Sequence, residues 1–262
     1  MKSRFNGKVG IITGAGQGIG KEIASQLILE GGKLIINDIQ ESLAQQAAYD
    51  LNQKIPHSCI AMAGDAGQVD FTQQIVEAAI TNFGQLDLVV ANAGITKYGD
   101  FLSVKEEEFL QVMDLNLKGA FFLTQAAAKK MIHQPAGGNI LLMSSVLGQQ
   151  GHPEHTVYAM TKAATIMMAR SLITDLSPLG ININVIAPGA TLTERTEKDY
   201  PGYIESWQAV TPNRQIAYPA DIAATALFLL SSAARHINGQ AITIDGGWTA
   251  ISPYPDGFTP KG

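Results

Sequence analysis

Short apolar runs recur along the chain, and a longer amphipathic stretch follows nearly every one. Residues 8–13 (KVGIIT), 33–38 (KLIIND), 58–63 (SCIAMA), 86–91 (LDLVVA), 139–144 (NILLMS), 182–187 (NINVIA) and 241–245 (AITID) read as strands. The runs are nearly continuous in apolar character, as in strands covered on both faces. Helices are expected over about 18–30, 41–52, 69–83 and 105–133, across the stretch holding YAMTKAATIMMA, and over about 220–231. Gly31-Gly32 ends the first of these. Residues 188–219 are polar and irregular. Strands alternating with helices predict an α/β fold, a doubly wound seven-stranded parallel sheet with helices on both faces, of the Rossmann type. No internal repeat or low-complexity linker interrupts the pattern, so residues 1–262 are expected to form one domain. The stretch 248–262 carries three prolines and no periodicity, and reads as an irregular C-terminal arm.

Composition agrees with a core-rich globular chain: 46% hydrophobic and 16% charged residues. The net charge is −5, and no Lys/Arg cluster exceeds two adjacent residues, which argues against a nucleic-acid or anionic-membrane surface. Cys59 is the only cysteine and sits in an apolar run, where it is expected to be a small buried residue. With no disulfide possible and no signal peptide ahead of the first strand, a cytoplasmic location is expected. No apolar run approaches the length of a membrane span.

Two motifs carry chemistry. Residues 13–20 read TGAGQGIG and fall between the first strand and the first helix. Glycines there permit a tight turn and let backbone N–H groups approach a pyrophosphate, with the helix N-terminus adding partial positive charge. Gly14, Gly18 and Gly20 fit T-G-x-x-x-G-x-G. Neither Gly14 nor Gly16 opens a G-x-G-x-x-G, because Ile19 and Lys21 stand at the third-glycine positions. The second motif is Tyr158 with Lys162, four residues apart and therefore on one helix face. An ammonium beside a phenol is expected to favour phenolate and lower the phenol's pKa, giving an acid/base group.

With these motifs in place the chain resembles the short-chain dehydrogenase/reductase family in its compact single-domain form, over about residues 8–247. The resemblance implies a catalytic set of Asn116, Ser145, Tyr158 and Lys162. Ser145 rather than Ser144 is selected because it stands thirteen positions before Tyr158; Ser144 is expected to point to the opposite face of the strand end. Asn116, in MDLNLKGAFF, is implied to accompany a helix irregularity and to hold a relay water. The implied dinucleotide contacts are Gly14, Gln17, Gly18, Ile19 and Gly20 in the glycine turn, Asp65 and Ala66 after the third strand, and Asn92, Ala93 and Gly94 after the fourth. Pro188, Gly189, Thr191 and Thr193 follow the sixth strand beside the nicotinamide, and Tyr158 and Lys162 complete the set. Ala91 departs from the family's NNAG. Asp65 also suits a turn or helix cap, and Asn116 a plain core or interface polar residue.

Asp38 stands at the end of the second strand, 18 residues after Gly20. A carboxylate there accepts hydrogen bonds from ribose hydroxyls and repels a 2′-phosphate, and no Lys or Arg follows it, so NAD is expected over NADP. A helix cap is the other reading of this Asp. His152 and His155 lack spaced partners, so no metal is expected; with Gln149 and Gln150 they are expected to face a hydroxyl-bearing substrate. Residues 190–213 are expected to form a substrate flap bearing Glu194, Arg195, Tyr200, Tyr203 and Trp207, whose aromatics either line an apolar wall or pack the flap down. The expected activity is hydride transfer between the nicotinamide and an alcohol or carbonyl of a small molecule: a sugar, a polyol or another secondary alcohol. Reduction of a 3-oxoacyl thioester is the alternative, disfavoured by Asp38 and the acidic balance. A non-catalytic NAD-binding regulator is disfavoured by the intact catalytic set. The resemblance implies a homotetramer.

Overall fold

The computed structural model of the chain describes residues 3–251. Seven strands form one parallel sheet: β1 (Val9–Ile12), β2 (Lys33–Asp38), β3 (Cys59–Ala63), β4 (Leu88–Ala91), β5 (Gly138–Met143), β6 (Ile181–Pro188) and β7 (Ala241–Ile244), in the order β3-β2-β1-β4-β5-β6-β7. Every pairing is parallel, with Ile11 beside Ile35 and Val89, and Met143 beside Ile186. The expected doubly wound sheet is therefore present. Its order reverses between β1 and β4, which opens a crevice at the carboxyl ends of those strands.

Alternate side chains of each strand enter two separate cores. On one face Ile12, Leu34, Ile36, Val90 and Leu141 pack against α1 (Gly18–Leu29), α2 (Glu41–Lys54) and α9 (Pro219–Leu230), through Leu27, Leu51 and Leu227 among others. On the other face Ile11, Ile35, Val89, Ile140 and Val185 meet α3 (Val69–Phe83), α5 (Ala120–Met131) and α6 (Thr156–Leu176), through Ile75, Leu123 and Ala169. Cys59 is buried in the first core, and burial pushes its thiol pKa up to about 12, which keeps it unreactive.

Two expectations need correction. The helix expected without a break over 105–133 is α4 (Glu106–Met113), one widened π turn (Asp114–Gly119) and then α5. The π turn carries Asn116, the irregularity that the resemblance implied. It packs so closely on the loop after β3 that a Cβ on Gly119 would lie 2.3 Å from the Ala66 carbonyl oxygen. The stretch 188–219 is not irregular throughout. It holds α7 (Glu194–Asp199), capped by Thr193, and α8 (Tyr203–Val210), entered through Gly202 at φ +77°. Both are too short to show an apolar period in sequence. The arm expected over 248–262 begins with a 3-10 turn, Trp248–Ala250; residues 252–262 lie outside the described residues.

Candidate active site

Every residue expected to contact the dinucleotide lines one cavity of about 820 Å³ at the crevice, as do Ser145, Tyr158 and Lys162. Asn116 does not line it and sits behind it, buried.

At one end, β1 runs into the glycine turn. The Asn92 side-chain amide donates to the carbonyls of Thr13 (2.9 Å) and Gly14 (2.8 Å), and the Thr13 hydroxyl accepts from the Asn92 and Ala93 amides, each at 3.1 Å. The segment after β4 thus clamps the turn. Gly20 permits this approach, since a Cβ there would stand 2.4 Å from the Gly14 carbonyl oxygen. At Gly18, the first residue of α1, the N–H donates to a carboxylate oxygen of Glu194 at 3.1 Å. That carboxylate is a stand-in anion at the helix N-terminus, and it shows that the turn offers an amide donor to negative charge. The residues fit a bound dinucleotide phosphate.

Asp38 closes this end. Its Oδ2 accepts from the Gly16 N–H (3.2 Å) and its Oδ1 from the Gln40 N–H (3.0 Å). A Cβ on Gly16 would lie 2.6 Å from that Oδ2, so glycine is required there for the carboxylate to lie against the turn. Asp65 makes the turn that precedes α3, its Oδ1 accepting from the Gly67 N–H at 2.8 Å.

At the other end, α6 brings Tyr158 and Lys162 against the end of β5. Lys162 Nζ donates to the Met143 carbonyl at 2.8 Å and lies 5.5 Å from the Tyr158 ring centroid. The Ser144 hydroxyl donates to the Lys162 carbonyl (2.7 Å), while the Ser145 hydroxyl accepts from the Leu147 N–H (3.2 Å) and lines the cavity with Tyr158, so the two serines serve different partners. Asn116 pairs with the backbone of Ile95, accepting from its N–H (2.8 Å) and donating to its carbonyl (2.9 Å); its amide also reaches Thr161 Oγ1 at 3.3 Å. A Cβ on Gly94 would lie 3.2 Å from Asn116 Oδ1 and 3.4 Å from Lys162 Nζ, so these two groups converge over that glycine.

The electrostatics differ from the expected picture. Tyr158 is raised above the usual phenol range, because burial disfavours the phenolate. Hydrogen bonding from Ser145, the charge of Arg195 and hydrogen bonding from Thr96 oppose that rise. Lys162 is not among the opposing groups, so the expected lowering of the phenol by its ammonium is not met. Burial pushes Lys162 itself down to about 8. Lys162 is buried and Tyr158 half-buried at the cavity wall, and Lys162 points at the Met143 carbonyl and the ring.

Tyr98, Tyr200 and Tyr203 line the cavity beside Tyr158. Trp207 does not; it packs edge-on against Trp248 at 5.5 Å between ring centroids and holds α8 down. The flap aromatics therefore divide between the two readings. Gln149, Gln150, His152 and His155 do not line the cavity. Gln149 donates to Thr243 Oγ1 at 3.0 Å, and the two histidines contact each other at 3.3 Å. Their expected role facing substrate is not supported. His155 instead backs Tyr98, with ring centroids 4.7 Å apart. Thr96, Tyr98 and Thr161 were not singled out in the sequence, and nothing in their local pattern distinguishes them; Gly16 stood there only as one glycine of the turn.

The comparisons fit this geometry. The sequence model of a family described as enoyl-(acyl carrier protein) reductase matches residues 14–249. The chain belongs to the short-chain dehydrogenase/reductase family. An L-rhamnose-1-dehydrogenase of Scheffersomyces stipitis is 34% identical over 252 residues, covering 94% of this chain and 98% of that protein. Elsinochrome reductase 1 of Elsinoe fawcettii is 34% identical over 257 residues, covering 93% and 95%. A crystal structure titled as a putative gluconate dehydrogenase from Agrobacterium tumefaciens superposes with a TM-score of 0.89 at 27% identity, covering 96% of this chain and all of that one. As a short-chain dehydrogenase/reductase, the chain is an oxidoreductase of alcohol and carbonyl groups that uses a nicotinamide cofactor. Among the described residues, no helix is long and apolar enough to cross a membrane.

Proposed function

We propose that this short-chain dehydrogenase/reductase is an NAD-dependent dehydrogenase of a small hydroxyl-bearing substrate, a sugar, a polyol or a related secondary alcohol. The observation that carries the reading is the cavity itself, which joins the glycine turn and Asp38 at one end to Ser145 and Tyr158 at the other. The relatives named for rhamnose and gluconate support the substrate class.

The bound nicotinamide supplies the hydride acceptor or donor. Tyr158 takes the proton from the substrate hydroxyl in oxidation and returns it to the carbonyl in reduction. Ser145 hydrogen-bonds the substrate oxygen and stabilises charge developing there. Lys162 holds the nicotinamide ribose. Asn116 braces the segment after β4 through Ile95 and anchors a relay water. The cleft residues from Gly14 to Thr193 named above hold and orient the dinucleotide, so that reacting atoms meet. Asp38 selects NAD, because a 2′-phosphate there would meet a carboxylate with no Lys or Arg after it. We further propose that residues 1–262 act as one domain, that the protein works as a homotetramer, and that it resides in the cytoplasm.

An absorbance screen at 340 nm tests the reading, run over sugars, polyols, hydroxy acids and secondary alcohols with NAD and with NADP. The expected result is turnover on at least one class, with kcat/KM at least about 10-fold higher for NAD. Equal or better kcat/KM with NADP contradicts the role given to Asp38. A 3-oxoacyl thioester with the reduced cofactors completes the screen, and its reduction with no turnover of the other classes contradicts the substrate class.

A further inference from the structure

We propose that Arg195 anchors the substrate, and that the substrate carries a carboxylate as well as the reacting hydroxyl or carbonyl. The proposal deepens the dehydrogenase reading and rests on it.

Charge in the cavity is distributed unevenly. Four carboxylates line it: Asp38, Asp65, Asp114 and Glu194. Two cations do, Lys162 and Arg195. Lys162 is buried and committed to the Met143 carbonyl. Among the described residues, Arg195 is therefore the one solvent-accessible cation on the wall, with a side chain 48% exposed. In a protein of net charge −5, a cationic side chain on this wall attracts a free anion that the surrounding carboxylates repel.

The position of Arg195 separates it from the dinucleotide end. It is the second residue of α7, next to Glu194. Successive side chains on a helix diverge by about 100°. Glu194 reaches back to the Gly18 amide, whereas the charge of Arg195 acts on the phenols of Tyr158 and Tyr98. The first turn of α7 thus has one residue facing each half of the cleft. Arg195 Nε pairs with Asp199 across one helical turn at 3.5 Å, which orients the guanidinium. Its two terminal nitrogens make no hydrogen bond among the described residues, and they present the planar fork that binds a carboxylate through two parallel bonds. Tyr98 and Tyr203 line the same cavity. Burial raises the pKa of both, that of Tyr203 to about 12, so both phenols are protonated at neutral pH and can donate hydrogen bonds. A hydroxy acid or sugar acid satisfies both ends, with its carboxylate on Arg195 and its carbinol at Tyr158 and Ser145.

The test compares matched pairs that differ only in a carboxylate: lactate with propane-1,2-diol, glycerate with glycerol, and gluconate with glucitol. Steady-state rates with NAD are measured on the full chain. Calorimetric titration of each pair member into the NADH-saturated protein is measured in parallel, because binding needs no turnover. For at least one pair the acid is expected to exceed its neutral partner by about 10-fold or more, in kcat/KM or in affinity. Arg195→Gln should abolish that ratio, chiefly by raising KM or Kd for the acid, and Arg195→Lys should retain part of it. Equal or better binding of the neutral members throughout overturns the inference. So does a ratio unchanged in Arg195→Gln, or an Arg195→Gln protein whose only defect is weaker NAD binding. A protein that binds the acids selectively without turning them over leaves this inference standing and defeats the dehydrogenase reading instead.

Discussion

Tyr158 and Lys162 sit together because they stand four positions apart on one helix, but the consequence of that pairing depends on solvent. Burial acts against the charged form of each group, and the ammonium faces the Met143 carbonyl and the phenol ring. The spacing was visible in the sequence; the burial was not, because it comes from tertiary packing against the end of β5. Glu194 is a second case. Its bond to Gly18 spans 176 positions, so no local pattern points to it. Its carboxylate occupies an amide that a cofactor phosphate would need, and its charge repels that phosphate. Glu194→Gln is therefore expected to tighten NAD binding by roughly 3- to 10-fold in a calorimetric titration. Unchanged or weaker binding would show that Glu194 does not compete for the site.

Among the elements, strands were the easiest to read. Buried parallel strands appear as continuous apolar runs, and all seven were found within a few residues of their expected limits. The helix over 105–133 was readable as a helix but not as a broken one. A π turn inserts no proline or unusual run, and its cause is tertiary: the Asn116 side chain replaces a strand-like pairing for Ile95, and Gly119 lies against the Ala66 carbonyl. The helices α7 and α8 escaped for the opposite reason. Six and eight residues give too few turns for periodicity, and the Thr193 cap is closed by Thr196 in place of the usual Glu or Gln. These helices nonetheless decide the site, because they bring Arg195, Tyr200 and Tyr203 to the cavity and leave Trp207 on Trp248.

At the scale of the molecule, two cores on a reversing parallel sheet place every proposed contact at the same edge. Outside those cores, Leu110 on α4, Phe121 on α5, and Met160 and Met167 on α6 remain exposed. Apolar side chains of this size on neighbouring helices suit burial between subunits. Light scattering is expected to give a mass four times the 27.9 kDa chain, and a monomer at micromolar concentration contradicts that assembly. Within one subunit, the proposed division of labour is proton transfer through Tyr158 while the rest of the cavity holds NAD. The most direct measurement is the kcat of Tyr158→Phe beside its NAD affinity. Turnover is expected to fall by roughly 100-fold or more with NAD affinity unchanged. Turnover within a few-fold of the unsubstituted protein, with NAD still bound, would contradict it.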